Sequence, residues 1–320
     1  MARRVRSGET RGERPDPDAQ PPGTGARRAL TVLGGVACHR GIIELRLRDA
    51  GSWAVDGMPI ELAQSRERRP PPVTAVTYVG HSTVLIEADG TVLLTDPVLS
   101  RRVAHLRRLA PVPELPRLAS PDAVLISHAH HDHLDLPSLR GLAPSVLAVV
   151  PRGCATLARR AGLRDVVELA VGDRVRIGPF EVLATTAEHG GRRLPLGRAA
   201  GALGYVVEGS HSIYFAGDTD IFDGMRDLAG DLDLALLPVS GWGPRLPPGH
   251  LDPERAARAA ALLRPRLAVP IHWGTLAAPW ASPPEPELPA REFARLASTH
   301  APDVTVRILS PGERLTLQGR

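Results

Sequence analysis

The stretch Ser127-His128-Ala129-His130-His131-Asp132-His133-Leu134-Asp135 follows directly on the apolar, strand-like segment 123–126. Imidazole nitrogens and carboxylate oxygens are the donors that zinc and its borderline neighbours take. Residues two apart in an extended segment project to the same side, so His128 and His130 can grip one ion. Asp132 and His133, beyond the bend, then reach a second. A compositional accident is a poor account, because the chain has only 12 His in 320 residues and four of them fall within residues 128–133. A fold that carries this run must hold the strand end rigid and bring further donors to it.

Three such donors stand at the ends of apolar, β-rich runs. His189 follows 180–186, Asp218 follows 213–216 in Ala216-Gly217-Asp218-Thr219, and His272 follows 267–271 in Pro270-Ile271-His272-Trp273-Gly274. Strand ends present side chains on loops while a rigid scaffold fixes their positions. With these residues in this order, the HxHxDH window resembles the signature of the metallo-β-lactamase superfamily. Within it, the blocks from Val79-Gly80-His81-Ser82, Leu94-Thr95-Asp96-Pro97, Phe215 to Thr219, His250-Leu251-Asp252-Pro253-Glu254 and Ile271 to Gly274 resemble one branch. It contains the N-acyl-phosphatidylethanolamine phospholipase D-like and ascorbate-phosphate lactonase-like proteins, and the likeness covers roughly residues 73–280.

The resemblance implies an α/β fold, the αββα sandwich of the metallo-β-lactamase type. It implies two divalent ions, zinc foremost with manganese or iron as alternatives. His128, His130 and His189 would hold the first ion, Asp132, His133 and His272 the second, and Asp218 would bridge them. Two ions about 3.5–4 Å apart acidify a shared water and polarise the substrate oxygen. The implied activity is that of a dinuclear metal-dependent hydrolase, hydroxide attacking a phosphodiester or related ester, with Asp132 handling the proton. A lactonase or carboxylic-ester hydrolase at the same site is the alternative, and a non-catalytic metal-holding sensor a third reading. Di-iron oxygen reductases resemble HxExDH, whereas the second position here is His130.

Several neighbours are candidates for supporting roles. Asp96 suits acceptance of the outer N–H of a ligating histidine, and His81 belongs near the site by its block. His250, just before a helix start, is the second catalytic candidate, placed to contact a substrate phosphate or leaving group. Arg192, Arg193 and Arg198 follow His189 in a Gly-rich loop and read as solvated. The segment before His189 is Thr185-Thr186-Ala187-Glu188, and apolar loops suited to a lipid tail are sparse. Both features weigh against a bulky phospholipid and leave a small-molecule or lipid-derived substrate.

From residue 73 the pattern is regular. Segments 73–79, 83–87 and 92–95 read as strands, with Asp89-Gly90 turning the second into the third. Residues 252–264 read as a helix: Asp252 caps it, Pro253 suits the first turn, and Ala256, Ala260 and Leu263 share a face before Pro265. Alternating strands and helices indicate a layered α/β domain. The expected organisation is a disordered Arg/Pro/Gly-rich arm at 1–28, an N-terminal extension at 29–72 and the hydrolase domain at 73–320.

Charge excludes little and points nowhere near nucleic acid. All 39 basic residues are Arg, as GC-rich codon usage produces, and residues 1–28 hold seven Arg against four acids, most of the net +4. A nucleic-acid enzyme shows a basic stripe on its folded domain instead. No run approaches the roughly 18 apolar residues of a membrane span. Cys38 and Cys154 have no metal-motif spacing and no disulfide framework, so a cytoplasmic location is the expectation. An export signal around 27–38, where Arg27-Arg28 precedes the apolar run 29–37, is the alternative. The sequence carries no signal of oligomeric state.

Overall fold

The computed structural model describes residues 73–190, 200–241, 246–280 and 285–318, with the backbone of short strands between residues 37 and 60. The chain divides into two compact units, Met1–Glu67 and Arg68–Arg320. In the first, Ala37–Cys38 pairs with Gly41–Ile42, and Arg46–Arg48, Ser52–Val55 and Met58–Ile60 form an antiparallel meander. The arm 1–28 and nearly all of the possible export segment lie outside the described residues.

The second unit is built on two seven-stranded sheets. Its first strands are β1 (Thr74–Gly80), β2 (Thr83–Ala88) and β3 (Thr91–Thr95). Asp89 and Gly90 both take positive φ, 49° and 81°, the backbone of the two-residue hairpin their types favour. After β4 (Arg102–Val103) and β5 (Leu106–Arg108) come β6 (Ala123–Leu125), α1 (Leu136–Arg140), β7 (Leu147–Pro151), α2 (Ala155–Arg160) and β8 (Val166–Leu169). The order of the first sheet is β8-β7-β6-β3-β2-β1, closed by β17 (Arg314–Leu317) on β1. Pairing is parallel from β8 through β3 and antiparallel beyond.

The second sheet runs β9 (Arg174–Ile177), β10 (Phe180–Thr186), β11 (Leu203–Glu208), β12 (Ser212–Phe215), β13 (Leu234–Pro238), β14 (Leu267–Ile271) and β16 (Thr305–Val306). Helix α3 (Pro253–Leu263) precedes β14, and α4 (Leu288–His300) follows β15 (Leu276–Ala277). The Asp252 carboxylate accepts the Arg255 N–H at 2.8 Å, and Ala256, Ala260 and Leu263 are fully buried, as the helix pattern predicts.

Period-two alternation explains the layering. Val76, Tyr78, Val84, Ile86, Leu93, Leu125 and Val149 of the first sheet share one core with Val182, Tyr205, Val207 and Phe215 of the second. The alternate residues Leu85, Leu94, Val124, Ile126 and Val150 face the other way, into a cluster with Leu139 and Ala158 of α1 and α2. The cores of α3 and α4 join the second sheet. Helices thus cover sheets buried on both faces, the αββα sandwich. Among the described residues, no helix is long and apolar enough to cross a membrane.

Candidate metal centre

The site's segments leave the C-terminal ends of strands: the predicted outer partner Asp96 after β3, and the predicted donors His128 after β6, with His130, Asp132 and His133 in the turn beyond it, His189 after β10, Asp218 after β12 and His272 after β14. Such ends, where parallel strands point the same way, are the usual ligand edge of an α/β sheet. The second sheet also holds the motif's backbone, because Leu203 N–H donates to Ser127 O at 2.9 Å and Tyr205 Oη to Ile126 O at 2.7 Å. Past His128 the chain is not extended. His133 and Leu134 N–H groups both return to His130 O, so a tight turn rather than strand alternation brings the four donors together.

His128 Nε2 lies 2.9 Å from His130 Nδ1, which lies 3.2 Å from His189 Nε2. Asp132, His133 and His272 form a second group that also takes in His81, whose Nε2 is 3.3 Å from Asp132 Oδ2. Asp218 lies between the groups. Its Oδ2 is 3.1 Å from His133 Nε2 and 4.0 Å from His128 Nε2, and its Oδ1 is 3.3 Å from His272 Nε2. His250 Nε2 is 3.4 Å from Asp218 Oδ2. Arg192, Arg193 and Arg198 lie outside the described residues.

The outer hydrogen bonds fix the tautomers. His133 Nδ1–H donates to Asp96 Oδ2 at 2.6 Å, His189 Nδ1–H to Gly249 O at 2.8 Å and His272 Nδ1–H to Ser240 O at 2.7 Å. Ser127 Oγ gives its proton to Asp96 Oδ2 at 2.6 Å and so accepts from His128 Nδ1 at 2.9 Å. Each of the four rings, in its neutral form, therefore turns a bare Nε2 inward. Were both neutral, His133 and His272 would face each other lone pair to lone pair at 3.2 Å, and buried Asp218 Oδ1 has no hydrogen bond. An unpaired buried charge costs more than the 1–3 kcal/mol of a neutral group. One proton cannot satisfy all these acceptors, whereas divalent cations would, so the donor set fits metal.

Electrostatics agree. Burial pushes His128 well down and holds His189 at about 4 and His81 at about 3, the last with help from neighbouring His272. These rings stay neutral, as ligands must be. Burial works against ionisation of Asp132 and Asp218, yet His133 beside them holds both carboxyls well below the usual range. His133 is the exception among the rings: burial disfavours its charge, but Asp218, Asp96 and Asp132 raise it well above the ordinary value. Three non-glycine residues here take left-handed φ, His81 (57°), Asp96 (31°) and His272 (63°), and such strain collects at functional sites. Gly217 (φ 60°) is obligatory, since a Cβ there would lie 2.5 Å from Ser127 Cβ.

A cavity of about 690 Å³ opens over the cluster, reaching His130, Asp132, Asp218, His250 and His272. Its far wall corrects the expectation of sparse apolar surface. Val103, Leu106, Leu246 and Pro247 line it, the first two from a small sheet of order β15-β5-β4. Strands of two and three residues are too short for a periodic pattern, so the wall, like Ser127 as the joint between Asp96 and His128, escaped the sequence reading. The short segment Val98-Leu99 after Asp96-Pro97 was the available signal.

A layered αββα sandwich with His and Asp donors gathered at its strand ends defines the metallo-β-lactamase class. The sequence matches the β-lactamase superfamily domain over residues 91–273, and the chain belongs to that superfamily. It is 35% identical over 265 residues to an uncharacterized protein of Mycobacterium tuberculosis, covering 77% of this chain and 69% of that one. To a UPF0173 metal-dependent hydrolase of Methanopyrus kandleri it is 33% identical over 246 residues, 74% of this chain and 97% of that protein. Among solved structures, a metallo hydrolase from the archaeon Ignicoccus hospitalis superposes with TM-score 0.59 at 24% identity, over 78% of this chain and all of that one.

Proposed function

We propose that the chain is a two-metal hydrolase of ester bonds, with His128, His130 and His189 holding one ion, Asp132, His133 and His272 the other, and Asp218 between them. The inward lone pairs, with the orphaned Oδ1 of Asp218, carry this reading. The metal-dependent hydrolase of Methanopyrus kandleri and the superfamily match support its coarser form. Zinc is the first expectation from a nitrogen-rich donor set, with manganese or iron behind it. Bound there, the ions would supply an acidified water and polarise the scissile oxygen.

The chain's own residues do the rest. Asp132, braced by His81, accepts the proton of the attacking water at the cavity floor. His250 donates to the leaving oxygen from Nε2, its ring steadied by Nδ1–H to Pro247 O at 3.0 Å. Asp96 and the carbonyls of Gly249 and Ser240 keep the ligand rings turned inward.

The phosphodiester is the substrate bond the sequence argues for. A specific observation favours the carboxylic ester or lactone: Val103, Leu106, Leu246 and Pro247 give the cavity an apolar wall suited to an uncharged acyl group. Metal analysis and turnover of bis(4-nitrophenyl) phosphate and 4-nitrophenyl esters on one preparation test the proposal. About two ions per chain with ester hydrolysis are expected, and a metal-free, inactive protein after reconstitution refutes it.

A further inference from the structure

The three-stranded sheet does more than close one side of the cavity. Its core is separate from the sandwich and consists of Val98, Val103, Leu106, Leu276 and Ala278. Ala104 takes φ 50° at the tip of the β4–β5 hairpin, which turns His105 over the cavity it lines. β15 pairs with β5 on the other side and leads, three residues on, to Trp280. The two rings stack at 5.9 Å between centroids with 8° between planes. Trp280 is 76% exposed, an indole left in water beside the mouth of the candidate site.

Below this pair, Val103, Leu106 and Leu246 continue the apolar surface down to the ligand cluster. The ligand cluster thus shares one cavity with an apolar wall and a stacked pair of rings, the layout of a pocket that orients one reactive bond and buries an apolar or planar substituent.

Building on the hydrolase reading, we infer that the site takes a neutral carboxylic ester with an apolar or planar acyl group, and that His105 and Trp280 form the platform selecting that group. In the reaction, the water oxygen bonds to the acyl carbon and the carbon–oxygen bond to the leaving alcohol breaks. One water proton goes to the leaving oxygen and the other is released from the acid product. The acyl group lies along Val103 and Leu106 with its outer end against the stacked rings.

The test uses the metal-loaded full chain with 4-nitrophenyl acetate, butyrate and benzoate, in which only the acyl group varies, beside bis(4-nitrophenyl) phosphate. Each buried methylene is worth about fourfold, so kcat/KM rises about fifteenfold over the two methylenes from acetate to butyrate. In Trp280→Ala and His105→Ala the butyrate-to-acetate and benzoate-to-acetate ratios fall toward one, through KM. A diester turned over faster than butyrate, or an acyl preference that survives both substitutions, overturns the inference. A second readout needs no metal: 4-nitroanisole should quench tryptophan emission saturably in the metal-free chain and not in Trp280→Phe. If no ester is hydrolysed, the hydrolase reading fails by itself. Quenching then still decides the platform, its absence in the unsubstituted chain refuting it.

Discussion

On the first sheet, His128 and His133 lean on side chains, Ser127 and the Asp96 carboxylate. On the second, His189 and His272 lean on main-chain carbonyls, those of Gly249 and Ser240. Both arrangements fix the tautomer and turn Nε2 inward. Only the carboxylate adds charge, and a charged partner makes an imidazole more basic and a stronger donor to metal. The rings divide by their charged neighbours: with Asp218, Asp96 and Asp132 about it His133 rises well above its ordinary value, while burial pushes Ser127-backed His128 well down and leaves carbonyl-backed His189 at about 4. The Asp96–His133 pair is therefore the electrostatically tuned support of the site, and the supports from Ser127, Gly249 and Ser240 only position their rings.

The largest effect is expected beside the tuned ring, at the cavity. Asp132→Ala removes a donor to the second ion and the proposed proton acceptor, and general acid–base help alone is typically worth about 10²–10⁴-fold in rate. Near-normal turnover with two ions bound would remove Asp132 from the mechanism. Asp218→Ser asks whether the two donor groups are joined. The bridging role predicts at most one ion per chain together with loss of rate, whereas a mere turn-capping role costs about 1 kcal/mol and keeps both ions.

Asp96→Asn sharpens the contrast itself. The amide keeps the size of the carboxylate but carries no charge, so His133 keeps a neighbour and loses its tuning. Outer partners of this kind are worth about 10–100-fold in metal affinity or activity. A zinc titration that superimposes on the parent's would show that Asp96 acts by position alone, as the carbonyls do.

The legible part of the site was its inner layer. HxHxDH is contiguous, and His189, Asp218 and His272 each close a β-rich run whose strand is found at 180–186, within one residue of 213–216, and at 267–271. The supporting layer was less legible, for physical reasons. Asp96 meets His133 only because β3 and β6 pair in parallel, a non-local event, and its block alone suggested it. The carbonyls of Gly249 and Ser240 belong to the backbone and carry no residue signature. The β4–β5–β15 wall joins residues about 170 apart through strands too short for periodicity. The succession of strands and helices and the face of α3 made a layered α/β domain legible, and the αββα order came from the family resemblance; the turn at His130–Leu134 was not legible, since extended and turned backbone place donors two apart on similar sides.

The smallest effect belongs to the supports that only position, and Gly249 is where one can be reached. Its carbonyl accepts the His189 Nδ1–H, its φ is 83°, and a Cβ there would stand 3.3 Å from both Glu188 O and His189 Nδ1. Gly249→Ala therefore combines about 1–2 kcal/mol of left-handed backbone strain with slight pressure on one ligand ring, leaving every charge in place. The melting temperature should fall by a few degrees, and the affinity for the ion on His128, His130 and His189 should weaken less than Asp96→Asn weakens the other. Competition with a chelator, read as two separate release steps, measures both variants on one scale. If Gly249→Ala loosens its ion as much as Asp96→Asn does, ring position rather than charge governs both supports, and the division between tuned and positioning support falls.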